Sequence, residues 1–100
     1  MNAVTSSPKC TQLISKTPRI HMRNAYSLSQ IGKRHNAQVT INNTRSKKSA
    51  TVDDVFSLML LEVKLNDALV VEVHILDPLA EMNTSVDKII EEIKDVFLTP

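Results

Sequence analysis

Arg19-Ile20-His21-Met22-Arg23-Asn24-Ala25-Tyr26 is the stretch on which the reading of this chain turns. From Ala25 onward the sequence is helical: Ala25, Leu28, Ile31 and Gly32 fall at the 3.6-residue spacing of one buried face. His21 therefore stands at or just before the first turn, with Arg19 and Arg23 two residues to either side. The first N–H groups of a helix have no internal partners and point outward, so this position attracts anions. A histidine there is suited to carrying a phosphoryl group. The bland alternative is an exposed residue at a helix start with no chemical role.

Upstream, Thr17-Pro18 marks a loop, because proline restricts the residue before it. Thr11 to Ser15 alternates weakly around Leu13 and Ile14 and reads as a first strand. The helix is expected over Met22 to His35, with Asn36 as its stop, since asparagine tolerates the left-handed conformation. Gln38-Val39-Thr40-Ile41-Asn42 is β-branched and alternating, hence a strand. Asn42 to Arg45 supplies a turn, and Ser46 to Thr51 returns as its hairpin partner. Thr51 or Asp53 is expected to cap a short helix over about Asp54 to Leu61. Its Val55, Leu58, Met59 and Leu61 are expected to pack inward, with Phe56 partly outside.

Leu65-Asn66-Asp67 turns the chain into its best strand, Ala68 to Ile75, which Asp77-Pro78 ends. A last helix follows, capped by Asn83 or Thr84, with Asp87 three residues after Thr84 as in a capping box. Val86, Ile89, Ile90, Ile93, Val96 and Phe97 form its apolar stripe, and Glu91, Glu92 and Asp95 its solvent face. The order is β-α-β-β-α-β-α. It argues for a four-stranded sheet with the helices on one face, an open-faced sandwich. The chain has one glycine, so Asn and Asp are expected to serve turns that usually take Gly.

At 100 residues, 42% of them hydrophobic, the chain is expected to form one domain with a modest aliphatic core. Residues 1–9 read as a flexible lead-in and 10–100 as the domain. The run Leu69 to Val73 is broken by Glu72 and is far too short to span a bilayer. Met1 to Thr17 lacks the apolar segment of a secretory signal and reads as a disordered extension rather than a transit peptide. The single Cys10 forms neither an internal disulfide nor a metal framework, which fits a reducing cytoplasm.

Charge is divided along the chain. Residues 1–50 carry nine Lys and Arg and no acid, while residues 51–100 carry three lysines against eleven acids. Either the first half forms an electropositive face for an acidic partner, a phosphate or nucleic acid, or the two halves balance each other within one fold. Arg45, Lys47 and Lys48 form a basic hairpin tip, read as a solvated edge that resists strand pairing. Three aromatic residues are too few for a base-stacking surface. His35 suits the C-terminal dipole of its helix and His74 faces outward from a strand, so both are read as structural. With His21 they show no metal-ligand spacing. No cofactor and no metal are expected.

Ile20-His21-Met22-Arg23-Asn24-Ala25 resembles the Leu-His-x-Arg-Pro-Ala signature of HPr, the histidine-containing phosphocarrier family of the bacterial sugar phosphotransferase system. The Val39-Thr40-Ile41 strand follows at the family's distance, and Asp54 to Met59 is similar to the family's short second helix. The resemblance covers residues 10–97. It implies an α+β fold with an antiparallel sheet. It implies that His21 accepts a phosphoryl group on the pros nitrogen from enzyme I, which draws it from phosphoenolpyruvate, and passes it to a IIA domain of a sugar permease. Arg23 would sit beside the phosphate, which Met22, Arg23 and Asn24 would bind. Tyr26, Lys33, Val55, Phe56 and Met59 would form the docking surface.

The family's usual proline is here Asn24, and its usual glycine before the signature is Arg19. Asp54 stands at the position where some members carry a kinase-regulated serine, so no such regulation is expected. The protein would be a carrier, monomeric, without membrane insertion or nucleic-acid binding, rather than an enzyme turning over a small substrate. Two alternatives are a regulatory paralogue acting by protein binding and a nucleic-acid-binding domain using the basic first half. For the transfer chemistry itself, a loose transition state asks mainly for positioning and charge stabilisation, which a helix mouth and two arginines provide.

Overall fold

The computed structural model describes residues 9–75 and 86–98. The elements are β1 (Lys9–Ile14), α1 (Met22–Arg34), β2 (Ala37–Asn43), β3 (Lys48–Thr51), α2 (Val55–Met59), β4 (Ala68–Ile75) and α3 (Val86–Leu98). The strands form one antiparallel sheet in the order β1-β4-β2-β3. The β-α-β-β-α-β-α order is as read from the sequence. The expected ends of the last strand and the expected caps at Asn83 and Thr84 lie outside the described residues.

β4 is the centre of the molecule. Leu69, Val71, Val73 and Ile75 are buried on the helix side, and Val70, Glu72 and His74 alternate onto the other face. Leu13 of β1 and Val39 and Ile41 of β2 extend the buried face. Against it pack Ala25, Leu28 and Ile31 of α1 and Ile89, Ile90, Ile93 and Phe97 of α3. Gly32 sits where α1 crosses Val52: a Cβ there would lie 2.9 Å from Val52 Cγ2, so only glycine permits this approach.

Three expectations need correction. Met59 does not pack inward; it is 39% exposed, whereas Leu58 and Leu61 are fully buried and Val55 is half-buried. α2 is a turn and a half long, so only one of its side chains points squarely at the core, and Leu61 reaches it from the turn beyond. The cap of α2 is neither Thr51 nor Asp53 but Asp54, whose carboxylate accepts from Ser57 N–H at 3.1 Å and from the Ser57 hydroxyl at 2.6 Å. These bonds hold the Asp54 carboxyl below its ordinary pKa. Glu92 is half-buried rather than on the solvent face, because it is the partner of His35 and Arg34.

Asn36 and Asn66 take positive φ, as the shortage of glycine requires, but so do Lys47 at 61° and Glu62 at 58°. Lys47 N–H donates to Asn43 O at 2.8 Å, so the hairpin turn is wider than four residues and β3 starts only at Lys48.

Part of the charge division resolves into pairs that join the two halves. Lys9 meets Asp87 at 2.6 Å, Arg45 meets Asp67 at 2.8 Å, His35 Nε2 lies 2.9 Å from Glu92 Oε2, and Arg34–Glu92 and Lys48–Glu62 complete the set. Arg45 and Lys48 of the hairpin tip are thus engaged.

Asn43, fully buried, anchors a polar knot. Its Nδ2 donates to Leu61 O at 3.0 Å and to Asp67 Oδ2 at 3.1 Å, and its Oδ1 accepts from Arg45 N–H at 3.1 Å. Asp67 also accepts from Arg45 Nε and from Lys64 N–H. Burial pushes the Asp67 carboxyl up, but Arg45, Lys64 N–H and Asn43 outweigh it and hold it below its ordinary value.

Candidate functional site

The loop that leads to His21 is bolted down on three sides. Ser15 is buried, and its hydroxyl donates to Thr17 O at 2.9 Å and accepts from Thr17 N–H at 3.1 Å. Ser15 N–H donates to Asp67 O, Asn66 N–H to Ser15 O, and Lys16 N–H to Phe97 O, at 2.8 to 2.9 Å. Ile20, 6% exposed, plugs the core one residue before the histidine. The chain then leaves the core, and His21 stands exposed as the N-cap of α1 in extended backbone, φ −104° and ψ 177°.

Met22, Arg23 and Asn24 are the first three helical residues. The first N–H of α1 bonded to a carbonyl of its own turn is that of Ala25, to His21 O at 3.0 Å. The amides of Met22, Arg23 and Asn24 therefore precede any intrahelical acceptor and crowd the mouth beside the histidine. His21 and Asn24 stand in a capping-box relation, in which Asn24 Oδ1 accepts from His21 N–H at 3.1 Å. The side chain of Asn24 is thus turned to the backbone of His21. Arg19 and Arg23 are exposed, and among the described residues neither enters an ion pair, so their charge remains available at this end of α1.

An apolar surface adjoins. Met22 is 54% and Tyr26 58% exposed, one turn apart on α1; Phe56 is 73% and Leu60 66% exposed at α2, which packs against α1. Met59 belongs with them. Leu60 was not singled out from the sequence, because its exposure depends on α2 ending at Met59. Lys33 is exposed at the far end of α1, beside a groove of about 510 Å³ that Gly32, Asn36, Gln38, Thr51 and Asp53 also line. A second groove runs between Tyr26, Gln30, Arg34 and Glu92. Neither groove includes His21 or Arg23, and the histidine stands exposed at the helix start.

The other candidates do not gather around His21. His35 is the C-cap of α1 and is tied to Glu92; His74 is half-buried on the outer side of the sheet. Cys10 Sγ lies 3.5 Å from Glu72 Oε2; partial desolvation, then the hydrogen bond and charge of Glu72, push the thiol pKa up, which disfavours a nucleophilic thiolate. Among the described residues no group of His, Cys, Asp and Glu could hold a metal ion. No helix among them is long and apolar enough to cross a membrane.

The fold is thus an open-faced α+β sandwich that offers a histidine at a helix mouth, between two exposed arginines. The chain belongs to the HPr family: the model described as the PTS HPr component phosphorylation site matches residues 10–94. Among solved structures it is similar to HPr-C-His from Thermoanaerobacter tengcongensis, at 14% identity and a TM-score of 0.66, over 89% of this chain and 90% of that one. It is also similar to phosphocarrier protein HPr from Bacillus anthracis, at 12% identity and a TM-score of 0.68, over 92% and 99%. The histidine-containing phosphocarrier protein of a Mycoplasma gives 14% identity and a TM-score of 0.68, over 92% and 100%. At these identities the structures speak for the fold; the family rests on the sequence model. No curated protein sequence matches the chain.

Proposed function

We propose that the protein is a phosphocarrier of the phosphotransferase system, phosphorylated on His21. Its donor is enzyme I, charged from phosphoenolpyruvate, and its acceptor a IIA domain of a sugar permease. The lone pair of His21 Nδ1 forms the new bond to phosphorus as the bond to the donor's group breaks, and that group keeps the electron pair. On passing the phosphoryl group onward, the imidazole keeps the pair in its turn. The observation that carries this reading is the exposed His21 at the N-cap of α1, on a family match that spans it.

The amides of Met22, Arg23 and Asn24 and the guanidinium of Arg23 hold the phosphoryl oxygens through charge-assisted hydrogen bonds. Each helix-end contribution is modest, about 0.3–1 kcal/mol. That suits a carrier, which must release what it accepts. An exposed histidine with exposed apolar side chains nearby fits protein partners, and Met22, Tyr26, Phe56 and Met59 supply their apolar seat, with Lys33 as a flanking charge. A donor charged from phosphoenolpyruvate would fit a cytoplasmic protein.

The test is incubation with enzyme I and labelled phosphoenolpyruvate. Label that is acid-labile in the wild type and lost in His21→Ala supports the reading. No label, or label that persists in His21→Ala, refutes it.

A further inference from the structure

Both backbone polar groups of His21 are held by the first turn of α1. Its carbonyl accepts from Ala25 N–H at 3.0 Å, as any helix provides. Its N–H donates to Asn24 Oδ1 at 3.1 Å, which only the side chain of this residue provides. On the upstream side Ile20 is locked into the core. The peptide groups on either side of the His21 Cα, from which the ring is presented, are therefore fixed.

We propose that Asn24 is a positioning residue for phosphoryl transfer: its side-chain carbonyl clamps the His21 N–H and holds the imidazole at the angle of attack. The inference rests on His21 being the phosphoryl acceptor. A proline in the first turn fixes the helix start covalently through its ring. Asn24 reaches a similar end through a hydrogen bond, and keeps an N–H that a proline lacks. Because the loose transition state is served mainly by alignment, freeing the peptide before the histidine slows the chemical step. It leaves partner docking alone, since Asn24 is half-buried and lies outside the exposed apolar patch.

Three variants read this out: Asn24→Ala removes the clamp, Asn24→Gln keeps an acceptor carbonyl at the same helix position, and Asn24→Pro removes both clamp and N–H. In single-turnover transfer from phosphorylated enzyme I, Asn24→Ala is expected to lower the rate at saturation about fivefold with an unchanged KM, the worth of one hydrogen bond. Asn24→Gln is expected within about twofold of wild type, as the capping box normally takes Gln or Glu at this position. Asn24→Pro is expected to fall between them. A melting curve for each variant separates slow transfer from loss of fold. In the wild type, the His21 amide is expected to exchange with solvent more slowly than those of Met22 and Arg23, a check that needs no variant. Saturating rates equal in Asn24→Ala and wild type, a Gln variant as slow as Ala, or an unprotected His21 amide overturn the inference and leave the carrier reading standing. A wild type that takes no label overturns both.

Discussion

Asn43→Ala tests whether the polar knot at the foot of the sheet matters as much as its geometry says. The wild-type side chain is fully buried and makes three hydrogen bonds: two to backbone groups and one to the Asp67 carboxylate. Neutral bonds contribute about 1 kcal/mol each and a bond to a charge about 1.5–3 kcal/mol, for a ceiling near 5 kcal/mol. Part of this is recovered, because Leu61 O still accepts from the Ser46 hydroxyl and Asp67 still has Arg45 and Lys64. Arg45 N–H loses its acceptor outright. A loss of about 3 kcal/mol follows, a large share of the roughly 5–15 kcal/mol stability of a domain this size. It lowers the melting temperature by about 12–24 °C. Urea unfolding followed by far-ultraviolet circular dichroism measures it. A loss below about 1 kcal/mol would show that water replaces the amide at no cost and that the knot is not a structural keystone.

Phe56→Ala removes an aromatic ring that is 73% exposed, so stability should change by less than about 0.5 kcal/mol. If the ring seats a partner, KM for enzyme I rises about tenfold, as for a central interface anchor; an unchanged KM removes Phe56 from the docking surface. Acid should unfold the protein through Asp67 and Glu92. Asp67 is held low as described. Glu92 is raised by burial but lowered more by the His35 hydrogen bond and the charges of His35 and Arg34, for a net depression. Both folded values lie below the unfolded ones of about 3.9 and 4.3, so their contribution is complete above those values and is lost as pH falls through the folded ones. Urea midpoints between pH 6 and pH 3 should fall steeply at the acid end, and less steeply in Asp67→Asn; equal slopes would contradict the assignment.

What the sequence made legible was what depends on near neighbours. The helix after His21 follows from Ala25, Leu28, Ile31 and Gly32, and the position of the histidine at its mouth from counting back. Strand β4 follows from its alternating Val and Leu. What was hidden depends on contacts made far along the chain. Asn43 and Asp67 read only as turn residues, because their bond joins positions 24 residues apart. Met59 is exposed rather than inward because α2 is shorter than its apolar spacing suggests, and nothing local marks that end. Lys47 and Glu62 carry left-handed backbone with no signature at all, since neither residue type favours it. Within the site, the exposed His21 was legible. The direction of the Asn24 side chain was not, since it required knowing that His21 itself is the cap.

The last strand among the described residues, β4, lies in the middle of the sheet, hydrogen-bonded to β1 on one side and β2 on the other. Until it has been synthesised, β1 and the β2–β3 hairpin have nothing to join them, and Ser15 lacks the Asn66 and Asp67 partners that steady the approach to the histidine. Folding must close long loops before the four-stranded sheet exists, so a rate on the millisecond-to-second scale is expected rather than the microseconds of a helical bundle. A newly made chain thus acquires its reactive surface only after β4 has been made.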